Sequence, residues 1–167
     1  MDVRLLRRND AALFRDLRLR ALADAPDAFA QTLADAEAQP DAYWERLTRS
    51  VTEPGGQVMF VAEDGAPPVG LVFGLLDPKR PSVARVGGMW VAPEARSRGA
   101  GRALLGAVVA WARERGLGTL ELWVTEGNSA AARLYRRAGF VETGARAVLP
   151  ANPALATLQM AMELGPR

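Results

Sequence analysis

Arg96-Ser97-Arg98-Gly99-Ala100-Gly101 joins two runs of opposite character, and its reading decides the fold. Ahead of it, Val83 to Val91 reads as a strand; behind it, Arg102 to Arg115 reads as a helix. A strand, a turn of Gly and Arg, and then a helix is a way to hold a phosphate. The turn converges backbone N–H groups on one point, and the helix N-terminus adds partial positive charge there. Gly99 and Gly101 lack a Cβ, so an anion can come close to the backbone. Arg96, Arg98 and Arg102 surround the same point with forked donors. A Gly-rich turn after a strand can also be only a turn, so the stretch takes its meaning from what surrounds it.

Toward the N-terminus, Gly87-Gly88 interrupts the strand, which suggests a bulge or a close approach to the backbone. Val58 to Glu63 and Val69 to Leu76 read as a hairpin, followed by a loop over Asp77 to Ser82. Earlier still, Val3 to Arg7 reads as a short strand. Asp10 then caps a helix running to about Leu22, with Leu13, Leu17, Leu19 and Leu22 as apolar positions. Phe29 to Gln39 fits helix or loop, and Pro40-Asp41 opens a helix that carries Tyr43, Trp44 and Leu47. Toward the C-terminus, Leu104, Leu105, Val108 and Ala112 face a core, and Gly116 stops that helix. Thr119 to Val124 is a strand, and Asn128 or Ser129 caps a short helix ending at Gly139. Phe140 to Thr143 and Leu158 to Leu164 are closing strands, with a loop around Pro150 to Pro153. The order β-α-α-β-β-β-α-β-α-β-β, with no repeat or linker, predicts one mixed α/β domain over 1–167. Its middle unit implies a right-handed parallel crossover.

Composition narrows the chemistry. The chain has 167 residues, 49% of them apolar and 24% charged, which suits a globular protein with a real core. Its formal charge is +2, with Arg and acidic residues interspersed, so neither nucleic acid nor a membrane is an expected partner. Cysteine and histidine are both absent, which excludes disulfides, thiolate nucleophiles, the Ser-His-Asp triad and the usual zinc sites. No metal is expected. No apolar run approaches the length of a membrane span, and no signal-peptide pattern follows Met1, so the expected location is the cytoplasm.

Two motifs in this order resemble the GNAT superfamily of acyl-CoA N-acyltransferases. The family's phosphate turn reads Arg/Gln-x-x-Gly-x-Gly/Ala, and Arg96 to Gly101 fits it. Met89-Trp90-Val91-Ala92-Pro93-Glu94 is similar to the strand exit before that turn. Asn128-Ser129-Ala130-Ala131-Ala132-Arg133-Leu134-Tyr135-Arg136-Arg137-Ala138-Gly139-Phe140 resembles the family's second signature, an Asn, then Leu-Tyr, then Gly-Phe. The resemblance implies a GNAT-like single domain whose mixed central sheet, flanked by helices, splays between its fourth and fifth strands. It implies an N-acetyltransferase that moves an acetyl group from acetyl-CoA, as co-substrate, directly to a primary amine of a small molecule or peptide. The alternative is a non-catalytic acyl-CoA sensor of the same fold.

The resemblance also assigns roles. Ser97, Arg98, Gly99, Ala100, Gly101 and the flanking Arg96 and Arg102 would hold the CoA pyrophosphate. Trp90 and Val91 would pair with the pantetheine amides, and the Val91 N–H would polarise the thioester carbonyl. Both residues also suit an ordinary sheet. Tyr135 would donate a proton to the departing thiolate, and Asn128 would bond the CoA arm. Equally, Tyr135 fits a helix core and Asn128 a helix cap. For the general base the fourth strand offers no carboxylate. Glu121, Glu126 and a water chain ending at a backbone carbonyl all remain in play. The acceptor pocket should lie between Ala25 to Trp44 and Gly144 to Ala156, where Phe29, Tyr43 and Trp44 are either lining or core. Asp24, Asp27, Asp35 and Glu37 would make its entrance acidic and suited to a cationic amine, unless they are only solvated surface. A homodimer is left open.

Overall fold

The near-continuous apolar runs of β2 (Gln57–Glu63) and β3 (Gly70–Leu76) are what strands covered on both faces require. In the computed structural model, which describes residues 1–165, they sit in a seven-stranded sheet of order β1-β2-β3-β4-β5-β7-β6. The other strands are β1 (Asp2–Leu5), β4 (Val83–Val91), β5 (Thr119–Thr125), β6 (Val141–Leu149) and β7 (Asn152–Glu163). All neighbours are antiparallel except β4 and β5.

Helices cover the two faces. On one lie α1 (Ala11–Asp24), the short α2 (Leu33–Glu37) and α3 (Asp41–Thr52). The Phe14 ring of α1 meets Phe73 of β3 at 5.6 Å and Trp44 of α3 at 5.5 Å, both edge-on. On the other lie α4 (Ala100–Glu114) and α5 (Ser129–Ala138). There the Trp111 ring and Leu104 pack over Gly74 and Gly70, so close that a Cβ would lie 2.8 Å from the ring at Gly74 and 3.0 Å from Leu104 at Gly70. Burying side chains of this size is the main favourable term in the fold, about 25 cal/mol per Å² of apolar surface.

Several expectations are corrected. The first strand ends at Leu5, although the Leu6 N–H still donates to the Met59 carbonyl at 2.8 Å. The Asp10 side chain does not cap α1. It accepts instead from the Arg7 N–H at 2.9 Å and the Arg4 guanidinium at 2.6 Å. The buried stripe of α1 is Phe14, Leu17, Ala21 and Leu22, with Leu13 and Leu19 only half-buried. The ambiguous stretch resolves into α2, whose N–H at Asp35 is capped by Thr32 Oγ1 at 3.1 Å. The closing strands run far beyond Phe140–Thr143 and Leu158–Leu164, and a tight turn at Pro150-Ala151 replaces the expected loop.

Candidate active site

The parallel pairing of β4 and β5 covers only Val83, Ala84 and Arg85 against Thr119, Leu120 and Glu121. Beyond that point the strands part. From Val86 to Val91, the β5-facing edge of β4 has no strand partner. On the other edge β3 stays paired, but its register slips: Leu71 faces Trp90 and Phe73 faces Gly87, so Gly88 and Met89 together oppose Val72. This is a one-residue bulge. Gly88 holds φ +57°, and a Cβ there would lie 2.6 Å from the Phe73 ring, so the bulge needs glycine. Past it, the Ala92 N–H donates to the Val69 carbonyl at 2.8 Å. Backbone groups alternate along a strand, so the Val91 N–H points the other way, into the gap.

The chain leaves β4 through a 3-10 turn, Pro93–Ala95, and enters α4 at Ala100. Ser97 has φ +61° and Gly99 φ +93°, and this pair of left-handed residues bends the backbone around one point. The first helical bond there runs from the Ala103 N–H to the Gly99 carbonyl at 3.0 Å. The N–H groups of Ala100, Gly101 and Arg102 precede it, and no side chain caps them. A Cβ on Gly99 would meet nothing within 4 Å, so the face beside these donors is open. Gly101 differs: its Cβ would lie 3.1 Å from Leu134 of α5 and 3.5 Å from Met89, so it serves close packing.

The arginines of the turn divide. Arg96 donates to the Val91 carbonyl at 3.0 Å and to Asp24 at the end of α1, and Asp24 also accepts from Trp90 Nε1 at 2.8 Å. Arg98 pairs with Asp64 at 2.7 Å. Arg102 has no ion-pair partner among the described residues. Arg20 sits over the Trp90 ring and reaches Glu94 at 3.2 Å. The charges near Trp90 therefore bind the turn to α1 and are not left facing a ligand.

Tyr135, on α5 after β5, is buried, and its hydroxyl donates to Met89 Sδ in the bulge at 3.8 Å. Burial pushes its pKa up to about 12, so it is a protonated phenol at neutral pH. Asn128 caps α5, its Oδ1 accepting from the Ala131 N–H at 3.2 Å. The two carboxylates considered as bases lie elsewhere. Glu121 is buried and gripped by both terminal nitrogens of Arg80 at 2.8 and 2.7 Å, with Gln159 at 3.3 Å. Glu126 is exposed and paired with Arg146 at 2.8 Å.

On the helix α1 and α3 face, the bulge forms the floor of a cleft of about 260 Å³, lined among others by Arg18, Gln31, Tyr43, Trp44, Phe73, Gly87 and Gly88. Tyr43 is half-buried and lines the cleft, whereas Trp44, though it borders the cleft, is buried in the core, as is Phe29. A larger open groove at Asn9, Arg15, Asp41 and Glu45 is lined by no strand residue and shares only Trp44 with this cleft. Arg18 was missed by sequence reading. Its only signal was a charged residue inside the buried stripe of α1.

The profile of the acetyltransferase (GNAT) family matches residues 19–140. Mycothiol acetyltransferase of Salinispora tropica is 35% identical over 135 residues, which is 77% of this chain but 40% of that protein. The chain thus spans well under half the length of that relative. Ribosomal-protein-alanine N-acetyltransferase of Brucella melitensis superposes with a TM-score of 0.77 at 25% identity, covering 98% of this chain and 99% of that one. A Salmonella typhimurium protein solved with its cofactor acetyl-CoA superposes at 0.76 and 19% identity, over 100% and 95% of the two chains. With the splayed strands, the bulge and the open turn before α4, the chain belongs to the GNAT acetyltransferase family.

Proposed function

We propose that this chain is an N-acetyltransferase that passes the acetyl group of acetyl-CoA directly to a primary amine. The observation that carries the reading is that β4 leaves its β5-facing edge free past Arg85, with the Val91 N–H turned away from β3 toward that edge and the Tyr135 hydroxyl on Met89 of the same strand. A thioester lying in the gap would meet a donor for its carbonyl oxygen and an acid for its sulfur.

The turn supplies the anchor. The N–H groups around Gly99 to Arg102, the α4 dipole and the Arg102 charge suit a pyrophosphate. The pantetheine arm would add to the free edge of β4 like a strand. The Val91 N–H would stabilise the oxygen as charge develops, a contribution of ~3 kcal/mol for a preorganised donor. Tyr135, held protonated by burial, would hydrogen-bond the departing thiolate and pass it a proton late, regaining one from the water that carries off the amine proton. Glu121 and Glu126 are already ion-paired, so we assign neither as the base. The amine proton would leave through water to a backbone carbonyl or to bulk solvent.

The test is thiol release from acetyl-CoA across a panel of amines; a chain without cysteine gives no background. Turnover on any amine, dependent on both substrates, supports the reading. Tight acetyl-CoA binding with no turnover on the whole panel would favour the sensor alternative.

A further inference from the structure

The cleft beneath the bulge contains a guanidinium that the fold leaves without a counter-charge. Its neighbours on α1 are paired: Arg15 with Asp41, and Arg20 with Asp16 and Glu94. Arg18 makes no ion pair among the described residues. Its Nε donates to Gln31 Oε1 at 3.2 Å, and its guanidinium carbon lies 4.8 Å from the centre of the Phe29 ring. Its Nη1 is sealed from solvent with no acceptor. Burial pulls its pKa below the usual arginine value. The surrounding stripe is Phe14, Leu17, Ala21 and Leu22, so packing alone would be met by an apolar side chain. A desolvated charge without a partner is costly, and an anion from outside would relieve that cost.

The position is specific. Arg18 lines the cleft with Gly87 and Gly88, and its Nη1 is 3.5 Å from where a Gly88 Cβ would stand. It therefore lies against the bulge at which the acceptor amine and the thioester must meet. Among the described residues no other Arg or Lys lines this cleft, and about 260 Å³ holds a small molecule, not a folded partner. With Nε held by Gln31 and Nη1 against Gly88, this one guanidinium offers a single positive charge, enough for one carboxylate, while a dianionic phosphate would call for further cations.

Resting on the acetyl-transfer reading above, we propose that the acceptor is a small amine that also carries a carboxylate, such as an amino acid, and that Arg18 binds this carboxylate. The same charge disfavours polyamines. Of the acidic residues expected at the entrance, Asp24 is turned to Trp90 and Arg96, while Asp27, Asp35 and Glu37 remain exposed and suit the ammonium group of the same acceptor.

The test uses matched pairs: free L-amino acids, the corresponding carboxamides, and spermidine, each with acetyl-CoA. The free acids should exceed their carboxamides in kcat/KM by at least ~30-fold, about 2 kcal/mol at 1.4 kcal/mol per tenfold. Most of the difference should lie in KM. Arg18→Gln should bring the ratio to near one while keeping acetyl-CoA affinity, and Arg18→Lys should restore part of it. If that variant does not fold, the matched pairs on the parent protein decide. If no amine in the panel turns over, calorimetry of N-acetyl amino acids against their amides, with CoA present, decides by the same carboxylate preference. Equal or better use of carboxamides or spermidine overturns the proposal and leaves acetyl transfer standing. Failure of acetyl-CoA to bind overturns acetyl transfer itself.

Discussion

At the scale of the residue, the Tyr135 hydroxyl has a sulfur for company and little else. A hydroxyl kept in such a place without a strong partner contributes little to stability, so its removal isolates the chemistry. Tyr135→Phe should lower kcat by ~10²-fold, leave acetyl-CoA affinity nearly intact and shift the melting temperature only slightly. Steady-state kinetics with calorimetric titration checks this, and normal turnover would make the residue structural. Gly88 and its neighbour give a second contrast. Gly88→Ala meets both a positive φ and the Phe73 ring at 2.6 Å, whereas at Gly87 a Cβ would meet only Leu75 at 3.5 Å. Urea unfolding should show a loss of ~1–3 kcal/mol for Gly88→Ala and much less for Gly87→Ala. The glycine pair was visible in the sequence as an anomaly within a strand. Which of the two was indispensable was not, because that depends on the slip against β3. Arg18 was hidden for a different reason. Of the leucines expected on the core face of α1, Leu17 and Leu22 are buried but Leu13 and Leu19 are only half-buried, and an arginine at a helix surface ordinarily reads as solvated.

At the scale of the element, the turn before α4 was legible because its requirements are local: glycines at fixed spacing, a strand before, a helix after. Gly99→Val tests it. A Cβ there would meet no protein atom within 4 Å, yet the side chain would occupy the open face beside the α4 amides and oppose φ +93°. Acetyl-CoA affinity should fall at least ~10-fold, about 1.4 kcal/mol. Gly106→Ala, on the same helix with equal space and no positive φ, should raise stability by up to ~1 kcal/mol and leave affinity unchanged. The closing hairpin was only half legible. β6 is exposed along almost its whole length, so no buried face marks its alternation; pairing with β7 defines it. Glu121 shows the limit of reading along the chain. Its partner Arg80 comes from the loop after β3, and the same guanidinium holds Asp77 at 2.8 Å. The Arg80 side chain, then the Lys79 N–H, hold the Asp77 carboxyl well below its ordinary pKa. The sign follows from linkage. The folded state binds this proton less readily than the unfolded chain, so the contribution is full above the unfolded value of ~3.9 and fades as pH falls below it. Asp77→Asn should therefore be less stable than the parent at pH 7, and the gap should narrow below about pH 4 in urea midpoints.

At the scale of the whole molecule, the splayed sheet has two approaches to one point. The turn and the N-terminus of α4 lie toward one, the cleft under α1 and α3 opens from the other, and both reach the β4 bulge. On the proposed reading, two substrates would be bound together with no covalent relay. The chain has no cysteine and no histidine to activate a serine, so a covalent acyl-enzyme is not expected. Initial rates with both substrates varied should give intersecting lines. The pH dependence follows from the same arrangement. Attack requires the neutral amine, and an aliphatic amine near a pKa of ~10 is mostly protonated at pH 7, so the rate should climb with pH. Tyr135, raised to about 12, stays protonated through that climb and should add no descending limb up to pH 10. A fall in rate below pH 10, with the protein still folded, would show that some other group protonates the thiolate. Parallel lines, together with an acetylated protein mass after incubation with acetyl-CoA alone, would show a covalent intermediate and overturn direct transfer.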